Sequence, residues 1–240
     1  MMASDSNLTS RKGNSGFGQK VFPVPYLNAG VAYSGLYEIG GQDIDDWMNE
    51  FINDESFIKG SIEDFVQNLT KRLNADFKGS LTDMAIIHIC GYSKYNFVTH
   101  CEHWHISNSS LDKKTGNYSR NERFEYHIDF NSRTSKENLH LLKSFDIHPN
   151  NNQFFINGFP PARISFMAIK KQLEDIIVQI TNREKWSFRP PKNLFETSNY
   201  IKIYFSIIGE LFKMSDHEAL FVGGETQTYL IPAPSDLIKE

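Results

Sequence analysis

Met84–Cys90, MAIIHIC, and Asn96–Ile106, NFVTHCEHWHI, are two strand-like runs separated by Gly91-Tyr92-Ser93-Lys94-Tyr95. A connection this short joins neighbouring antiparallel strands as a β-hairpin. Side chains alternate across a strand, so Cys101, His103 and His105 share one face of the second run and Glu102, Trp104 and Ile106 the other. This hairpin needs further strands beside it and helices over one face.

Upstream, Val21-Phe22-Pro23-Val24 and Asn28–Tyr33 read as a strand pair, with Lys20 leading the first and Gly35 following the second. After Gly40-Gly41 the residues Ile44, Trp47, Met48, Phe51 and Ile52 fall at helical spacing, with Asp43 at the N-cap position and Asp45 and Asp46 in the first turn. Ser61-Ile62-Glu63-Asp64 predicts a capping box with Asp in place of Glu. It opens a second helix whose stripe is Ile62, Phe65, Val66, Leu69, Leu73 and Phe77.

Downstream, Asn108 to Asn152 is rich in Asn, Ser, Lys, Arg and Asp, with an apolar alternation around Phe124, Tyr126, Ile128 and Phe130. We read it as a polar insertion at about 108–152 carrying one or two edge strands. Ile164 to Thr181 predicts a helix with Met167, Ile169, Leu173, Ile176, Ile177 and Ile180 inward, and Pro190-Pro191 ends the short segment after that helix. Leu194 to Met214 is another helix, and Glu218–Val222 and Gln227–Ile231 are closing strands joined through Gly223-Gly224. Strands and helices segregate along the chain, which predicts an α+β fold of packed sheets and helical layers and excludes a doubly wound parallel sheet.

The 240 residues, 40% of them hydrophobic, fit a single domain spanning 1–240. A net charge of -4 and no Lys/Arg run longer than two residues give no phosphate-tracking surface, so no nucleic-acid partner is expected. No stretch approaches the roughly eighteen apolar residues of a membrane-spanning helix, and the first fifteen residues lack an apolar core of the signal-peptide kind. Cys90 and Cys101 read as two reduced core thiols. These features predict a cytoplasmic protein with no membrane partner.

Ala3-Ser4-Asp5-Ser6, a polar turn, and Lys20 opening an apolar strand together resemble the front of a proteasome β-subunit-like domain of the N-terminal-nucleophile (Ntn) hydrolase superfamily. Phe221-Val222-Gly223-Gly224-Glu225-Thr226 is similar to the small-residue turn before that family's late strand. The resemblance implies a four-layer αββα sandwich that hydrolyses amide or peptide bonds. It implies that Asp5 supports the lysine, that Lys20 aids proton transfer from the nucleophile, and that the Gly35 N–H holds the oxyanion. It calls for no cofactor, and it implies a peptide or amide substrate and assembly into a homo-oligomer.

The family's attacking group is an N-terminal Thr, Ser or Cys whose own amine is the base. Met1-Met2 supplies none, so the nucleophile is absent from this sequence. Either the start is misassigned and Met1 or Met2 is internal to a longer first strand, or the gene is truncated and the chain is a catalytically inactive structural or assembly subunit. Cleavage before Ser4 would put the attacker next to Asp5 on the opposite face of a strand, and is set aside. The smallest alternative is a zinc-binding interaction domain on Cys101, His103 and His105, with His88 from the neighbouring strand as the fourth ligand.

Overall fold

The computed structural model describes residues 1–5, 7–10, 13–35, 37–54, 60–78, 84–111, 118–131, 160–184, 191–214, 224–232 and 234. In chain order the elements are β1 (Met2–Asp5), β2 (Asn7–Ser10), β3 (Gly13–Phe17), β4 (Val21–Val24), β5 (Ala29–Ser34), β6 (Glu38–Ile39), β7 (Gln42–Asp43), α1 (Ile44–Asn53), α2 (Ile62–Asp76), β8 (Ile86–Tyr95), β9 (Val98–Leu111), β10 (Tyr118–Asn131), α3 (Pro160–Glu184), α4 (Leu194–Lys213) and β11 (Thr226–Tyr229). The fold is mixed α+β, and no helix among the described residues is long and apolar enough to cross a membrane. Contacts divide the chain into two compact units, one built mainly from Lys20–Phe155 with Ile231–Glu240, the other from Ala3–Gln19 and Ile156–Leu230.

The larger unit is built on a five-stranded sheet in the order β10-β9-β8-β5-β4, antiparallel throughout. One sheet face and the apolar stripes of α1 and α2 form a single core that includes Phe22, Val31, Ile87, Ile89, Trp104 and Ile106 from strands and Trp47, Met48, Phe65 and Leu69 from helices. Both helical stripes are buried as their spacing predicts, except that Phe77, just past α2, is only partly covered. The Ser61 capping box forms: the Ser61 side chain accepts from the Asp64 N–H at 3.1 Å and the Asp64 carboxylate accepts from the Ser61 N–H at 2.8 Å. Asp43 stands at the N-cap of α1, but its side chain makes no capping bond.

The hairpin from β8 to β9 is tighter than its sequence suggests. Gly91 to Tyr95 belong to β8, and the turn is Asn96-Phe97 alone, at φ +50 and +63. Two successive residues at positive φ match the right-handed twist of the flanking strands, the geometry of a two-residue hairpin loop. The segment read as a polar insertion is in its described parts regular strand: 108–111 complete β9, and 118–131 form β10 beside it. The pairing of β10 slips between Arg120 and Glu125 and again between Ile128 and Phe130. At the first slip Asn74 of α2 supplies the backbone partners, donating to the Phe124 carbonyl at 3.0 Å and accepting from its N–H at 2.8 Å. This lets Phe124 turn into the core against Phe77, their ring centroids 5.2 Å apart.

In the smaller unit β1 pairs with β11, and β2 with β3 form a hairpin over residues that read only as a polar turn. Short polar side chains and glycine gave no alternation to betray that hairpin. Helices α3 and α4 meet through Phe166, Ile201, Tyr204 and Ile208, with Ile169 and Leu173 partly buried beside them. The inward face of α3 is therefore offset from expectation: Phe166 is buried, while Met167 and Ile176 face solvent. Ser6, Pro190, Glu218–Val222 and the segments 112–117 and 132–152 lie outside the described residues.

Candidate functional site

Opposite the core, the β8-β9-β10 face carries His88 and Cys90, then Cys101, His103 and His105, then His127. Ile87, Ile89, Trp104 and Ile106 are drawn to the core, so strand alternation sends their histidine and cysteine neighbours to the other side. Register then sets His88 opposite His105 and Cys90 opposite His103. The second slip in β10 leaves Asp129 as an extra residue between Ile128, which faces Trp104, and Phe130, which faces His103. A bulge re-aims a side chain in this way.

The Asp129 carboxylate reaches two imidazoles, Oδ2 lying 3.0 Å from His103 Nδ1 and Oδ1 lying 2.7 Å from His105 Nδ1. His103 Nε2 in turn faces His88 Nδ1 at 3.0 Å, the two rings stacked with centroids 5.1 Å apart. His88, His103, Asp129 and His105 thus form one continuous polar chain across three strands. His103 is buried, whereas the Asp129 and His105 side chains are about a quarter exposed, at 25% and 24%.

Burial, with His103 and His105 nearby, pulls the His88 imidazole down to about 4, so it is neutral at pH 7. Burial pushes the Asp129 carboxyl upward, but the hydrogen bonds from His103 and His105 outweigh it and hold the group well below the usual carboxylate range. Asp129 is an anion at neutral pH. Burial raises the Cys90 thiol to about 11 and also raises Cys101, and neither cysteine is in a disulfide, so neither is a ready thiolate nucleophile.

Donor atoms of His88, His103 and Asp129 lie within 4.8 Å of one another, a set able to hold a metal ion. Of the zinc ligands anticipated from sequence, His103 and His105 both meet Asp129 and His88 joins them, but Cys101 is not in that set. Asp129 was not anticipated. The signal was present in Tyr126-His127-Ile128-Asp129-Phe130, where polar and apolar residues alternate as they do in His103-Trp104-His105-Ile106.

The residues singled out by the hydrolase resemblance are divided between the units. Asp5, partly buried, ends β1 in the smaller unit. Lys20 directly precedes β4 in the larger one, and its carbonyl accepts from the Tyr33 N–H at 3.2 Å. Gly35 follows β5 at φ +92, and a Cβ there would collide with the Met84 carbonyl oxygen. Compared with known protein families and with curated proteins, the chain finds no match.

Proposed function

We propose that this chain is a proteasome-like domain of the Ntn hydrolase type, whose ancestral chemistry is the hydrolysis of amide or peptide bonds by an N-terminal nucleophile that the sequence from Met1 does not supply. The observation that carries the reading is Gly35. It lies at the end of β5, the hairpin partner of the strand that Lys20 precedes, with a backbone only glycine can supply, where the resemblance calls for an oxyanion-binding N–H.

In this reading an N-terminal hydroxyl or thiol adds to the substrate carbonyl, the oxyanion rests on backbone N–H groups, the amine departs, and water cleaves the acyl intermediate. Lys20 assists the proton transfer. A homo-oligomer is the assembly that goes with the fold.

The experiment is to purify the protein from its native source, determine its first residue by intact mass and N-terminal sequencing, and treat it with an acylating probe for N-terminal nucleophiles. A mature Thr, Ser or Cys that labels, with Lys20→Ala slowing labelling at least about 100-fold, supports the hydrolase. A mature chain starting at Met1 or Met2 that resists labelling favours the non-catalytic subunit.

A further inference from the structure

We propose that His88, His103 and Asp129 bind one divalent transition-metal ion of the zinc class, with His105 fixing the carboxylate. This goes beyond the hydrolase reading and is independent of it.

Two neutral-capable imidazoles and one carboxylate make a ligand set that suits such ions, with an open position left for water. The facing nitrogens of His88 and His103 are 3.0 Å apart, close to the roughly 3.3 Å between neighbouring ligand atoms on a tetrahedral ion with bonds of about 2.0 Å. The whole set, spread within 4.8 Å, needs only the carboxylate to draw in. Asp129 stands at a bulge in the outer strand of the sheet, where such an adjustment disturbs the fewest ladder bonds.

If His103 donates through Nδ1 to Asp129, its Nε2 is a bare lone pair, so His88 must turn its one N–H toward it. His88 Nε2 is then a buried acceptor, and it has no hydrogen-bond partner among the described residues. An ion held by His88 Nδ1 and His103 Nε2 would take both of these lone pairs, with the His88 proton then on Nε2, an atom left unpaired in either case. His105 Nδ1, at 2.7 Å from Asp129 Oδ1, is the outer partner that ligating carboxylates keep. The quarter of Asp129 left in solvent gives the ion its way in.

The test strips the full chain with a chelator, then titrates Co²⁺, followed by its visible absorption, and Zn²⁺, followed by calorimetry. One equivalent should bind, with cobalt bands of low-symmetry coordination. His88→Gln and Asp129→Asn should each weaken zinc at least tenfold, His105→Gln by about 10- to 100-fold, while Cys101→Ser and His127→Gln leave it unchanged. Near-UV circular dichroism confirms that each variant is folded, and the wild-type titration stands whatever the variants do. Absence of cobalt bands and of saturable zinc heat from the folded wild type would overturn the site. So would one-equivalent binding that survives both His88→Gln and Asp129→Asn.

Discussion

Phe97 stands wholly in solvent at φ +63, a backbone region that costs a side-chain-bearing residue roughly 1–2 kcal/mol. It buries nothing in return, and glycine is the residue that a two-residue hairpin turn prefers there. Phe97→Gly should raise stability by about 0.5–1 kcal/mol after the extra freedom of the unfolded glycine is counted. Urea unfolding should show a higher midpoint at unchanged slope. The opposite holds at Gly35, where positive φ and the Met84 carbonyl both exclude a Cβ. Gly35→Ala should cost about 2–4 kcal/mol, since the strain and the clash add. An unfolding curve within about 0.5 kcal/mol of wild type would show that the Gly35 turn relaxes freely. The turn at Gly35 was legible from its glycine, whereas the positive φ at Phe97 was not. Asn96-Phe97 lacks the glycine that signals such a turn, and the strand signal of Tyr92 to Tyr95 was masked by Gly91 and Ser93.

Among elements, α1 and α2 were the most legible, because each has an acidic first turn and one unbroken apolar stripe. Helix α3 was less so: Met167, Phe166, Ile176 and Ile177 are adjacent apolar residues, and composition alone cannot say which of each pair meets α4. The capping box gives a prediction with a sign. Hydrogen bonds from the Ser61 backbone and hydroxyl hold the Asp64 carboxyl below its ordinary value, so its contribution is present above about pH 4 and is lost as pH falls through the folded value. Asp64→Asn should therefore cost about 1 kcal/mol at pH 7 and progressively less toward pH 3, measured by denaturant titration at each pH. Asn74 makes a second element-scale case. Asn74→Ala leaves the Phe124 N–H and carbonyl unpaired beside the core and should cost about 1–3 kcal/mol, with faster hydrogen exchange at the Phe124 amide. Hydrogen bonds of this kind join residues fifty positions apart, and no local pattern announces them.

For the whole molecule, the separation of helices from strands in the sequence was enough to give the α+β class, whereas the division into two units depends on which distant segments meet. The candidate site shows the same divide. Cys101, His103 and His105 were placed on one face by alternation alone, but the choice of Asp129 over Cys101 follows from a one-residue slip in pairing. Burial raises both thiols and they lie within one sheet, so at pH 8 neither should react readily with Ellman's reagent until the protein unfolds. Rapid release of two equivalents from the native protein would contradict the packing of that face.

The margins of the five-stranded sheet have their own consequence. One margin is β4, where solvent-facing Pro23 brings no N–H, and the other is β10, which presents Glu122, Arg123, Glu125 and His127 to solvent. A stray strand seeking to template on β4 meets a missing donor, and one arriving at β10 must bury charge. Replacing Pro23 by valine would return to the β4 margin the backbone donor that proline withholds.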